Sequence, residues 1–73
     1  MSSRPTLSDS FLSQPYDQGH EIGTACLNDG LQYKKAMAFL RRLAAEALGI
    51  PSCFLPWHVR EPMEQGLRDA YDR

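Results

Sequence analysis

Between Asp29 and Pro51 apolar residues recur at three- and four-residue spacing, and this run restricts the fold more than any other feature of the chain. Tyr33, Ala36, Met37, Leu40, Leu43, Ala44, Ala47 and Leu48 fall within a sector of about 140° when successive residues are turned by about 100°. Such a stripe needs cover, so it predicts an amphipathic helix lying on a core. Asn28 or Asp29 is a suitable N-cap, and the Asp29 charge favours the positive end of the helix dipole. Gly49 followed by Ile50 and Pro51 ends the helix. One long central helix is therefore expected as the spine of the fold.

The flanking segments must supply the cover. Residues 51–58 contain Pro51 and Pro56, which argue against helix, and Cys53, Phe54, Leu55 and Trp57, which are apolar for an exposed loop. An extended, covered segment is expected there. Pro62 suits the first turn of a shorter C-terminal helix, where its missing N–H costs nothing. Met63, Leu67, Ala70 and Tyr71 form the stripe of that helix, and Gly66 weakens it by about 1 kcal/mol relative to Ala. Residues 20–27 alternate loosely through Ile22, Thr24 and Cys26, which suggests a short strand weakened by Gly23. The expected class is mainly α, with α+β as the alternative if residues 20–27 and 51–58 pair as strands.

Residues 1–19 read as a flexible N-terminal arm, and residues 20–73 as a single small domain. Ser2, Ser3, Ser8, Ser10, Ser13, Pro5, Pro15 and Gly19 crowd the arm without sustained periodicity. Its apolar area is too small to offset an ordering entropy of roughly 1–2 kcal/mol per residue. Leu7, Phe11 and Leu12 are the exception, since a helical turn would bring them to one side. They either fold back onto the domain or order on a partner.

A chain of 73 residues has little material for both a core and a catalytic cleft with its supporting shell, so binding is expected rather than catalysis. The 8 basic and 9 acidic residues nearly cancel. The chain thus lacks the cationic excess on which non-specific nucleic-acid binding depends. No signal peptide or membrane span is recognisable, which predicts a cytosolic protein with free thiols and no membrane partner. His20, Cys26, Cys53 and His58 could in principle ligate zinc, but the tight Cys knuckles of small zinc domains are absent, and no cofactor is expected. Glu61, Glu64, Asp69 and Asp72 alternate with Arg60, Arg68 and Arg73, a pattern that reads as a solvated face.

The polar side of the central helix is more specific. Lys34, Lys35, Arg41 and Arg42 lie on it, and from Gly30 to Ala45 there is no acidic residue. Lys34 and Arg41 share one flank, Lys35 and Arg42 the other, and Phe39 stands beside the second pair. An aromatic ring among cations is a common arrangement at protein interfaces, where aromatics and Arg dominate binding energy. A solvated basic face with Phe39 covered by the arm is the plainer reading of the same residues.

In its opening MSSRPTLSDSF and its helix YKKAMAFLRRLAAEALGIP the chain resembles the small phage-encoded regulators of bacterial RNA polymerase. The likeness is one of length and layout, closest to a transcription inhibitor and antiterminator of Xanthomonas phage. It implies a non-enzymatic protein, monomeric when free, that acts in the cytoplasm of the bacterial host. Such a protein binds RNA polymerase, inhibits initiation and promotes antitermination. Lys34, Lys35, Phe39, Arg41 and Arg42, with Leu7, Phe11 and Leu12, are the expected contact residues. An inhibitor or adaptor of another host complex, such as a nuclease or defence complex, is the alternative.

Overall fold

A computed structural model describes residues 12–72. Three helices of similar length make up the fold: α1 (Pro15–Asn28), α2 (Tyr33–Leu48) and α3 (Trp57–Tyr71), with a short 3-10 turn at Ser52–Phe54. The mainly α expectation holds, and no strand occurs among the described residues. The layout differs from a single long spine, because α1 and α3 form the principal packed pair and α2 lies against both.

Residues 20–27 belong to α1 rather than to a strand, and the helix reaches back through residues 15–19 of the expected arm. Three residues that commonly interrupt helices are accommodated in it. Pro15 sits in the first turn, where no intrahelical N–H is needed. Gly19 and Gly23 lie on the buried face with Gln18, Ile22 and Cys26, at helical spacing. Their glycine character is a packing requirement. A Cβ at Gly19 would stand 2.0 Å from the Met63 carbonyl oxygen. On the facing helix, a Cβ at Gly66 would stand 2.1 Å from the Tyr16 carbonyl oxygen. The two backbones therefore approach more closely than side chains would allow.

The α1 helix ends where the next one was expected to begin. Asp29 closes α1 and Gly30 takes a positive φ of 80°, with Leu31 N–H donating back to Cys26 O at 3.0 Å. The α2 helix starts at Tyr33, with Gln32 as an uncapped N-terminal residue. Its C-terminus is as expected: Gly49 is left-handed at φ 69°, and Ile50 N–H reaches Ala45 O at 3.1 Å. Of the anticipated stripe, Ala36, Met37, Leu40 and Ala44 are buried, while Tyr33, Leu43 and Leu48 pack at its margin. Ala47 is exposed, and Ala45 is buried instead.

The α3 helix begins at Trp57, so Pro62 lies inside it. Helix-forming contacts start earlier than Pro62 because Val59 is core, 2% exposed, and extends the Met63, Leu67 and Ala70 stripe by one turn. The cost is a missing donor for the His58 carbonyl, one bond near the helix start. Leu55 is covered, but Phe54 and Trp57 are 70% and 65% exposed, contrary to the expected burial of this segment. Ile22, Cys26, Leu40, Val59, Met63 and Leu67 are central to the core.

Candidate protein-docking surface

The cations of α2 divide into two sets. Lys35 and Arg42 lie opposite the buried side of the helix and are exposed. Neither forms an ion pair among the described residues, and the same is true of Lys34. Arg41 behaves differently because it leans towards α3. Its Nε donates to Glu64 Oε2 at 3.0 Å, and Arg60 Nε donates to the same oxygen at 2.8 Å. One carboxylate thus holds two guanidinium groups from different helices, 23 residues apart in the case of Arg41. The side chains of Arg41, Arg60 and Glu64 are 43%, 34% and 23% exposed. At that exposure solvent screens the pairs strongly, and each contributes at most about 1 kcal/mol.

This ion cluster lies along the channel between α2 and α3. On one side of it Lys34, Met37, Glu64 and Arg68 line an open concavity of about 380 Å³. Arg68 there makes a long, 3.5 Å contact with the Tyr33 hydroxyl. At the other end Arg60 lies over Trp57, its guanidinium carbon 5.6 Å from the ring centroid. Such a contact contributes about 0.5–1 kcal/mol at an exposed site and fixes the ring without covering it.

Phe39, expected beside Lys35 and Arg42 as an anchor, is half-buried and packs against the core. Leu12 is exposed in the turn before α1. Leu7 and Phe11 lie outside the described residues. Among the described residues the exposed Phe, Trp and Tyr side chains are instead Phe54, Trp57 and, to a smaller extent, Tyr16. Sequence reading missed the contribution of α3, namely Arg60, Glu64, Arg68 and Trp57. The spacing of Arg60 and Glu64, four residues apart on a helix, was available as a signal once α3 is started at Trp57.

The charge is distributed unevenly. The α1 helix carries Asp17 and Glu21 and no Lys or Arg. Tyr16 donates to Asp69 Oδ2 across to α3, and Gln65 donates to Asp69 Oδ1 at 2.9 Å. These bonds, the Tyr16 bond foremost, hold the Asp69 carboxyl below its ordinary range, and the same bond raises the Tyr16 phenol. An acidic edge along α1 thus opposes the cationic channel between α2 and α3. The large depression lined by Tyr16, Asp17, His20, Glu21 and neighbours involves α1 alone, so it is the outer surface of one helix rather than a cleft.

His20, Cys26, Cys53 and His58 are not brought together, and no group of three His, Cys, Asp or Glu side chains among the described residues could hold a metal ion. Cys26 is buried, Cys53 exposed, and both are free. Burial pushes the Cys26 thiol up, which suits a packing role. No helix among the described residues is long and apolar enough to cross a membrane. No protein-family model matches the chain, and neither a curated protein nor a solved structure does.

Proposed function

We propose that this chain is a non-enzymatic regulator that works by docking on a large bacterial protein, and that RNA polymerase is that partner. The partner's identity rests on the resemblance in length and layout. The docking mode rests on one observation: Lys34, Lys35 and Arg42 project from α2 with no ion pair among the described residues. Exposed cations add little to the stability of a fold. On an outward helix face they steer association with an acidic surface and set its register. A small regulator of this kind changes a large enzyme only by binding one functional state more tightly than another. Inhibited initiation and promoted antitermination are the two outcomes expected of such a preference.

The test is the affinity for purified RNA polymerase at two salt concentrations. The Lys35→Glu/Arg42→Glu double variant should melt like the wild type, bind about tenfold more weakly and lose much of the salt dependence. Wild-type affinity in the folded double variant overturns the proposed face. Absence of polymerase binding by the wild-type chain overturns the partner.

A further inference from the structure

The α2 helix contributes Lys34 and Arg41 to the channel beside α3, and α3 contributes Arg60 and Arg68. Against these four positive charges the channel holds one negative charge, Glu64, already shared between Arg41 and Arg60. Both of those arginines engage it through Nε. The terminal nitrogens of each guanidinium fork remain available as donors for a second carboxylate. At about 1.5 Å of rise per residue, the cations of each helix span about 10–12 Å. That is the length of three or four residues of extended polypeptide at about 3.3 Å each. Trp57, held by Arg60, ends the channel with an open apolar surface.

We propose that the channel between α2 and α3 binds a short acidic peptide segment of the protein partner, its carboxylates on Lys34, Arg41 and Arg68 and an apolar side chain on Trp57. The inference deepens the docking reading and rests on it for the partner, but it assigns a second contact surface, distinct from Lys35 and Arg42. Charge complementarity identifies the ligand as anionic, and three features favour polypeptide over nucleic acid. Glu64 Oε1 has no hydrogen-bond partner among the described residues, and it can accept a peptide N–H, a donor that phosphate groups lack. Arg60 already lies over the Trp57 ring, so one of the faces on which a base would stack is occupied. The acidic edge on α1, with Asp17 and Glu21, further opposes a phosphate backbone wrapping the domain.

Trp57 is the single tryptophan of the chain, so its fluorescence reports on this channel alone. The probe is a synthetic peptide in which four alternating Asp and Glu residues precede a leucine. Titration should change the Trp57 emission saturably, and the apparent affinity should fall as salt is raised. The matched Asn/Gln peptide should leave the emission unchanged. The Lys34→Glu/Arg68→Glu variant, altered only at exposed positions, should bind the acidic peptide at least about tenfold more weakly while melting like the wild type.

Equal binding by the folded double variant overturns the inference, as does an equal response to the neutral peptide. Tighter binding of oligothymidylate than of the acidic peptide overturns it in favour of nucleic acid. Polymerase binding lost on reversal of Lys35 and Arg42 but kept on reversal of Lys34 and Arg68 refutes the channel and leaves the docking reading intact. Peptide binding in the channel by a chain that does not bind polymerase refutes the partner and leaves the channel intact.

Discussion

The two sides of α3 are built on opposite principles. Towards α1 it presents Met63, Gly66 and Ala70 in a close seam: an added carbon at Gly19 collides with the Met63 backbone, one at Gly66 with the Tyr16 carbonyl, and one at Gly23 crowds the Ala70 side chain. Towards α2 it presents Arg60, Glu64 and Arg68, long side chains that bridge an open channel through charge. The seam has no freedom in side-chain choice, whereas the channel keeps guanidinium donors that its single carboxylate does not engage. A domain this small has a thin core. Concentrating the rigid packing in one helix pair leaves the facing pair free to bear a binding surface.

The sharpest way to break this contrast is Gly66→Ala. At an exposed helical position that change would stabilise by about 1 kcal/mol through helix propensity. In the seam the new Cβ meets the Tyr16 carbonyl, and backbone cannot move aside as a flexible side chain would. The expected sign is therefore reversed, with a loss above about 3 kcal/mol, the upper end for ordinary overpacking. Urea unfolding measures it, and an unchanged or raised midpoint would mean that α1 and α3 are not in close contact.

A smaller effect is expected in the channel. Glu64→Gln removes both ion pairs yet should cost at most about 1 kcal/mol, because its arginine partners are more than a third exposed and solvent-screened. Loss of cooperative unfolding in this variant would show that the channel carries stability comparable to the seam.

The smallest effect concerns the polar rim of the seam. Asp69 titrates below its ordinary range in the folded chain, chiefly through the Tyr16 hydroxyl. The stability it contributes is present above the ordinary carboxylate pKa and is lost as pH falls through the depressed folded value. Tyr16→Phe should lower the melting temperature slightly near neutrality and converge with the wild type in acid, so that the acid limb of a plot of melting temperature against pH is flatter. An acid limb as steep as the wild type's would remove Tyr16 as the cause.

Much of the apolar framework was legible in periodicity, because a helix that buries one face must repeat every three or four residues. Ala36, Met37, Leu40 and Ala44 in α2, and Met63, Leu67 and Ala70 in α3, were placed on this ground and are buried. The α1 helix escaped because its buried face contains two glycines, and glycine is read locally as a breaker. Its value there exists only when Met63 and Leu67 stand opposite. The α2 basic face was legible as two flanks of charge, but the pairing that sets Arg41 apart from Lys34 on the same flank was not, since only the facing helix supplies Glu64.

By itself the sequence determined a mainly helical class, most of the buried stripes of α2 and α3 and the stop at Gly49, all consequences of forces acting within a few turns of chain. Tertiary structure alone decided that Gly19 and Gly66 are contact points, that Trp57 stands in solvent and that Arg41 and Arg60 converge on one carboxylate. Those outcomes depend on which helix faces which. That choice is made by the shape and charge of surfaces distant in sequence, which no local spacing encodes.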